Sequence, residues 1–229
     1  MITRESPALM PSVMCSDFRS LERDMAFYTA HFTHLHVDVC DGHYCPNLAA
    51  GPDLVNALRR MAPIGMDYHL MAERPEEILE LFDIRKGDQV SIQLETLRAP
   101  ARTLRMLRER GAAAFLALAP ATPLSALEYL WPSLDGLTVM MIEPGYGKQN
   151  AQPEMLRKLA DARREKNRRG LAGLRLQADG NVSAQNAPEM ARNGADQLVL
   201  GTSALYTGGA IDPGKFERMK AAVAAAQGG

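Results

Sequence analysis

Short apolar segments alternate with longer amphipathic segments along the whole chain, and this alternation constrains the fold more than any other feature. The apolar segments predict eight strands, at 9–14, 34–39, 66–71, 88–94, 113–119, 137–142, 174–178 and 197–201. The segments between them predict helices near 17–30, 52–61, 75–83, 99–110, 123–130, 153–169, 185–193 and 212–226. Eight strand–helix units in 229 residues predict an α/β fold, a single (β/α)8 barrel domain over residues 1–229.

Proline and glycine mark several of the expected helix boundaries. Pro52 and Pro153 are each followed by an acidic residue, which favours the first turn of a helix. Gly111 and Gly194 stand where helices are expected to end. An open, doubly wound sheet is the alternative fold. No Gly-x-Gly-x-x-Gly motif follows the first predicted strand, which weakens the dinucleotide-binding form of that alternative.

The composition restricts the partners and the compartment. The chain has 26 basic and 27 acidic side chains, and nucleic-acid binding requires a surplus of basic ones. No apolar stretch approaches the roughly 20 residues needed to cross a bilayer. The odd set of Cys15, Cys40 and Cys45 is a poor disulfide framework and favours a reducing compartment. We therefore expect a cytoplasmic protein that binds neither nucleic acid nor membranes.

Two histidines and two aspartates lie at the predicted carboxyl ends of strands, where active sites of barrels form. His36 and Asp38 are two residues apart and share one face of a strand, His69 is on the next strand, and Asp179 ends the seventh. Two imidazoles and two carboxylates suit Zn²⁺, Fe²⁺, Mn²⁺ or Co²⁺. The pattern predicts a site for one divalent cation, with core histidines and a turn aspartate as the alternative. His34 is a minor candidate one layer lower.

Small residues follow the last three predicted strands, and they are Gly145, Gly147, Gly180, Asn181, Gly201, Thr202 and Ser203. In this fold the loops after the last strands often bind a phosphate through backbone N–H groups. Each glycine pair alone is also typical of a simple turn. Together they predict a phosphate-binding site.

Several segments resemble the ribulose-phosphate 3-epimerase family, namely PSVMCSDF, HVDVCDGHYCPN, DYHLM, PATPL, VMMIEPGYGKQ, QADGN and NGADQLVLGTSALY. Within the family the chain is most similar to the D-allulose-6-phosphate 3-epimerase branch, in SVMCSD, MDYHLMAERPEE, QPEMLRKLADAR and GTSALY. The resemblance implies a barrel of the ribulose-phosphate-binding type, one catalytic divalent cation per subunit, a small-molecule ketose phosphate as substrate and a homo-oligomer.

The resemblance also implies roles for individual residues. His36, Asp38, His69 and Asp179 match the metal ligands, and Asp38 and Asp179 match the acid/base pair. Contacts with the substrate are implied for Ser12, His69, Met71, Met140, Gly145, Gly147, Gly180, Asn181, Gly201, Thr202 and Ser203.

The chain departs from the family pattern at a few positions. Cys40 stands where a third methionine is usual, and Gln93 where histidine is common. Lys148 and Asn181 replace smaller residues in the phosphate loops, and whether either contacts the phosphate stays open.

The resemblance implies an isomerase of carbohydrate metabolism that inverts C3 of a ketose phosphate through an enediolate. The preferred substrate is D-allulose 6-phosphate, converted to D-fructose 6-phosphate. The alternatives are the pentose phosphate pair D-ribulose 5-phosphate and D-xylulose 5-phosphate, and a non-catalytic sugar-phosphate-binding barrel. A decarboxylase is disfavoured because no Asp-x-Lys-x-x-Asp array is present, and a Schiff-base lyase because no predicted strand carries a lysine.

Overall fold

The structure, a computed structural model, describes residues 6–145, 147 and 149–226. Its eight main strands are β1 Ala8–Pro11, β2 His34–Asp41, β3 Gly65–Met71, β4 Gln89–Gln93, β5 Ala113–Leu118, β6 Gly136–Met140, β7 Arg175–Asp179 and β8 Gln197–Leu200. They form a parallel sheet in the order β1-β8-β7-β6-β5-β4-β3-β2. An isolated parallel bridge between Ser12 and His36 joins the two ends. The expected (β/α)8 barrel is confirmed.

The helices lie between the strands, as the alternation predicts. They are α1 Leu21–His31, α2 Pro52–Met61, α3 Pro75–Leu79, α4 Pro100–Glu109, α5 Glu154–Arg168, α6 Ala187–Asn193 and α7 Pro213–Ala225. Three short strands were not predicted. Leu48–Ala49 pairs antiparallel with the end of β2, and Tyr206–Thr207 forms a hairpin with Ala210–Ile211. None of the helices within the described residues is long and apolar enough to cross a bilayer.

The prediction of a helix over 123–130 is wrong. Two 3-10 turns, Leu124–Leu127 and Trp131–Ser133, take its place. Pro132 lacks a backbone N–H group, so an α-helix cannot continue from this segment through the second turn. The fully buried indole of Trp131 anchors the turns in the core instead. The first strand is also shorter than predicted, because a 3-10 turn, Val13–Cys15, follows Ser12.

The interior of the barrel is polar and internally hydrogen-bonded. The amide of Gln89 on β4 donates to the side-chain oxygen of Gln197 on β8 at 3.0 Å, and these two strands are not neighbours, so the bond crosses the interior. The hydroxyls of Ser91 and Thr138 lie 2.7 Å apart. Buried polar groups that are paired in this way fix the relative positions of strands. This layer supports the side chains at the carboxyl ends above it.

A buried ion pair ties the opposite end of the barrel together. Arg59 of α2 contacts Asp88, the residue before β4, and the two side chains are 7% and 2% exposed. Asp88 also accepts hydrogen bonds from the backbone N–H groups of Met66, at 3.1 Å, and Arg85, at 2.7 Å. One carboxylate thus connects a helix, a strand and a loop.

We expect Asp88→Ala to lower the free energy of unfolding by about 3–5 kcal/mol, because it leaves a buried guanidinium without its partner. Urea unfolding followed by circular dichroism measures the loss. The matched control is Asp83→Ala, which removes a carboxylate that is 57% exposed and pairs only with Arg85 at the surface. Equal losses in the two variants would contradict a structural role for the buried pair.

Candidate metal centre and active site

Four side chains from three strands converge at the carboxyl end of the barrel. His36 and Asp38 lie on β2, His69 on β3 and Asp179 at the end of β7. Each offers one ligand atom, and these atoms all lie within 4.8 Å of one another. The pairing of Asp38 with His69 across β2 and β3 sets them at the same height. The four residues that the sequence pattern singled out are therefore brought together.

The distances place the two imidazoles between the two carboxylates. His36 Nε2 lies 3.2 Å from Asp38 Oδ1 and 3.6 Å from Asp179 Oδ2. His69 Nδ1 lies 3.4 Å from Asp38 Oδ1 and 3.1 Å from Asp179 Oδ2. Both imidazoles are fully buried, whereas the side chains of Asp38 and Asp179 are 25% and 12% exposed. The carboxylates, but not the imidazoles, can therefore touch a molecule that enters from above.

Hydrogen bonds from the surrounding chain hold two of these side chains in place. Ser12 Oγ donates to Asp38 Oδ2 at 3.0 Å. His36 Nδ1 lies 2.7 Å from Asp67 Oδ2. The Asp67 carboxylate accepts two further bonds, from the amides of Gln89 and Gln177, each at 2.8 Å. A carboxylate that holds Nδ1–H leaves Nε2 of His36 free to face the centre of the cluster.

Charge coupling shifts the pKa values within the cluster. Burial by itself lowers the pKa of His69, but the nearby carboxylates of Asp179 and Asp38 outweigh it and raise that pKa to about 9. The pKa of His36 is raised for the same reason, by Asp38 and Asp67 against the effect of burial. For Asp38 burial raises the pKa, but the two imidazoles outweigh it and hold that pKa well below its usual range. The carboxylates thus favour a positive charge between them.

The donor set fits a divalent cation. His69 Nδ1 is buried and has no hydrogen-bond partner, although it points at the two carboxylates. An unpaired buried nitrogen is costly, and coordination of a metal would satisfy it. Two imidazole nitrogens and two carboxylate oxygens are ligands that Zn²⁺, Fe²⁺, Mn²⁺ and Co²⁺ share. His36, Asp38, His69 and Asp179 are the residues that could hold such an ion.

A cavity of about 310 Å³ opens directly above this cluster. Its walls include nearly all the residues expected to contact a substrate, namely Ser12, Met71, Met140, Gly145, Gly147, Gly180, Asn181, Gly201, Thr202 and Ser203. Asp38, Asp179 and Cys40 also line it. His69, expected at both the metal and the substrate, is fully buried and does not line the cavity.

The expected phosphate loops lie together on one side of the cavity. Gly180 has φ = +118°, and a Cβ there would come within 2.5 Å of Ile142, so this position requires glycine. Asn181 follows in the left-handed region, with φ = +47°, and its Oδ1 accepts a hydrogen bond of 2.6 Å from Ser203 Oγ. This bond connects the loops after β7 and β8. Lys148 lies outside the described residues.

One histidine that the sequence left as a minor candidate does not join the site. His34 begins β2, at the opposite end of the barrel, and its Nε2 bonds the carbonyl oxygen of Gly87 at 2.9 Å.

Two residues to which the sequence assigned no role, Asp67 and Gln93, contact the imidazoles of His36 and His69 on the side away from the cavity. Asp67 lies two residues before His69, and this spacing on a strand was the available signal, because it puts both side chains on the inward face.

Comparison with known proteins identifies the family of the chain. The model of the ribulose-phosphate 3-epimerase family matches residues 8–206. The chain belongs to this family. It is therefore an enzyme of the isomerase class, an epimerase.

Three ribulose-phosphate 3-epimerases illustrate the similarity. That of Escherichia coli K12 is 37% identical, with 85% of this chain and 87% of the relative covered. That of Eremothecium gossypii is 35% identical, with 86% and 85% covered. That of Bacillus subtilis is 32% identical, with 92% and 94% covered.

Solved structures of other barrels share the fold of this epimerase-family chain. KGPDC from Streptococcus mutans superposes with a TM-score of 0.67 at 11% identity, over 98% of this chain and 100% of that one. Phosphoribosyl anthranilate isomerase from Thermus thermophilus gives a TM-score of 0.64 at 15% identity, over 95% and 98%. At these identities the likeness shows the fold alone.

We expect binding of a divalent cation to weaken as the pH falls. In the metal-free protein the pKa of His69 is about 9, so its imidazole carries a second proton and a positive charge at neutral pH. A cation must displace that second proton in order to bind. The affinity should therefore fall by about tenfold per pH unit for each proton displaced. Titration of apo-protein with Mn²⁺ against a chromophoric chelator at pH 6, 7 and 8 measures this slope, after correction for the chelator. A pH-independent affinity would contradict the protonated state of the imidazoles.

Proposed function

We propose that this chain is a metal-dependent ketose-phosphate 3-epimerase that uses Asp38 and Asp179 as its two acid/base groups. One observation carries the proposal. Both carboxylates line the cavity, and both approach the same unpaired nitrogen, His69 Nδ1, at 3.4 and 3.1 Å. Two carboxylates that face a cavity can remove a proton from a bound substrate. A cation held between them would stabilise the charge that this step creates beside a carbonyl.

Epimerisation at C3 of a ketose removes a proton from the carbon next to the C2 carbonyl and returns one on the opposite face. Two groups on opposite sides of C3 can do this, one as base and the other as acid. Asp38 comes from β2 and Asp179 from β7, which lie on different walls of the barrel. The two imidazoles hold the pKa of Asp38 well below its usual range, which keeps this carboxylate ionised. In the reverse direction the two residues exchange roles.

A divalent cation held by His36, Asp38, His69 and Asp179 would supply positive charge that stabilises the enediolate, an effect worth several kcal/mol. The protein supplies the remaining conditions. Ser12 orients Asp38 through its hydrogen bond. Met71 and Met140 line the cavity with apolar surface that limits the access of water. The loops that contain Gly180, Asn181 and Ser203 would anchor the phosphate and so hold C3 between the carboxylates.

The names of the relatives favour D-ribulose 5-phosphate, converted to D-xylulose 5-phosphate, as the substrate. D-Allulose 6-phosphate, converted to D-fructose 6-phosphate, is the second candidate. The short side chain of Cys40 in the cavity wall favours it, because cysteine leaves more room for a longer sugar than the methionine usual there. The non-catalytic alternative requires that neither sugar phosphate react.

The decisive experiment offers both ketose phosphates to the purified protein in D₂O. Apo-protein is reconstituted separately with Mn²⁺, Co²⁺, Zn²⁺ and Fe²⁺, and NMR follows deuterium at C3. An epimerase incorporates deuterium as it inverts the centre, and the ratio of kcat/KM values identifies the preferred sugar. If neither sugar gains deuterium with any of the four metals, the proposed epimerisation of these ketose phosphates is wrong.

We expect Asp38→Asn and Asp179→Asn each to lower kcat by at least about 100-fold, because each removes one of the two acid/base groups. Metal analysis of each variant separates loss of the base from loss of the ion. The control is Asp41→Asn, which changes a carboxylate at the end of β2 that bonds backbone N–H groups and does not line the cavity. Near-wild-type rates in both directions for either test variant would exclude the two-base mechanism.

We also propose that residues 1–229 form one catalytic domain, from the eight strand–helix units, and that the protein acts in the cytoplasm, from its odd set of cysteines. The resemblance alone supports the further proposal that it is a homo-oligomer. Light scattering of the purified protein measures its oligomeric state, and a monomer would contradict that part of the proposal.

A further inference from the structure

His69 makes contacts of two different kinds on the two sides of its ring. Nδ1 faces the carboxylates of Asp38 and Asp179 and has no hydrogen-bond partner. Nε2 faces away from them and lies 2.9 Å from the amide nitrogen of Gln93 on β4. Both His69 and Gln93 are fully buried. No solvent reaches this pair, so the protein itself must satisfy the nitrogen at the back of the ring.

Coordination through Nδ1 determines what the other nitrogen needs. A neutral imidazole carries one proton, and a nitrogen that binds a metal carries none. When Nδ1 of His69 is a ligand, the proton is therefore on Nε2, and Nε2–H requires an acceptor. An amide nitrogen is a donor and cannot provide one.

The acceptor is already present on the same side chain. Oε1 of Gln93 is buried and has no hydrogen-bond partner. A rotation of the amide by a half turn exchanges its oxygen and nitrogen, which are nearly equal in size. The exchange places Oε1 beside His69 Nε2 without moving any other group. It replaces a contact between two donors by a hydrogen bond.

We propose that Gln93 is a positioning residue for the metal centre: its Oε1 accepts from His69 Nε2–H and so presents Nδ1 to the cation. This inference rests on the metal-dependent function proposed above and deepens it. The two imidazoles then differ in their support. A carboxylate, Asp67, holds the proton of His36, whereas a neutral amide holds that of His69. Partners of this kind fix the tautomer of a ligating histidine, and their loss commonly reduces metal affinity by about 10–100-fold.

Three variants test the role of the amide. Gln93→Met keeps a similar volume and removes the acceptor. Gln93→Glu restores an acceptor at the same place. Thr103→Ala is the control, because it removes a buried hydroxyl that lies on α4, outside the polar layer of the barrel, and bonds the carbonyl oxygen of Ala99 at 3.2 Å. Thermal unfolding of each apo-protein confirms that the variants fold.

The readout is the affinity of each apo-protein for Mn²⁺, measured by competition with a chromophoric chelator. We expect Gln93→Met to bind Mn²⁺ about 10–100-fold more weakly than wild type. Gln93→Glu should regain at least wild-type affinity, and Thr103→Ala should match wild type. A purely structural role for Gln93 predicts no rescue by glutamate beyond what methionine achieves. Wild-type affinity in Gln93→Met, or equal weakness in Gln93→Glu, overturns the inference.

A spectroscopic measurement tests the tautomer directly. In ¹⁵N-labelled wild-type protein loaded with Zn²⁺, a long-range ¹H–¹⁵N correlation spectrum should place the ring proton of His69 on Nε2, and a proton on Nδ1 overturns the inference. If the wild-type apo-protein binds none of the four cations, the metal-dependent function fails as well. If it binds them and Gln93→Met binds them equally, only the inference about Gln93 fails.

Discussion

The proposed chemistry requires two carboxylates close enough to share one cation, and the structure depends on how their negative charges are held together. Asp38 and Asp179 both approach the imidazoles of His36 and His69 at 3.1–3.6 Å. The ligand oxygens of the two carboxylates lie within 4.8 Å of each other, and like charges so close repel strongly where solvent is excluded. The carboxylates also raise the pKa values of both histidines, because they stabilise positive charge at this position. A cation between the carboxylates supplies that positive charge and gives the substrate an electrophile.

The polar interior of the barrel follows from this need for a cation. A ligating imidazole needs an acceptor behind it, and that acceptor needs further donors, so the polar network extends downward from the cluster. Asp67 accepts from His36 and from the amides of Gln89 and Gln177, and those amides contact Gln197 in turn. The cost of these buried polar groups is offset because nearly all of them are paired. The polar core of the barrel therefore holds the site residues in position as well as stabilising the fold.

The sequence predicts the parts of this molecule that repeat or alternate. The apolar strands and the proline-led helices follow from local patterns, and seven of the eight expected helices are present as α-helices. The segment 123–130 fails because Pro132 and the burial of Trp131 override its amphipathic pattern. The four clustered side chains could be predicted because strand ends meet at one edge. The roles of Asp67 and Gln93 could not, because a supporting contact depends on which atoms of neighbouring strands meet, and a single sequence does not show that.

The bridge between Ser12 and His36 has a consequence for how the chain acquires its chemistry. Among the described strands, the seam between β1 and β2 is joined by this isolated bridge alone, with the hydrogen bond from Ser12 to Asp38 beside it. On its other side β1 pairs with β8, at the far end of the chain, and strands that pair across such long sequence separations are slow to meet because the loop between them must first be closed. The side chain that completes the seam is the one that orients a catalytic acid. The strand that closes the barrel therefore also carries the serine that holds Asp38 in place.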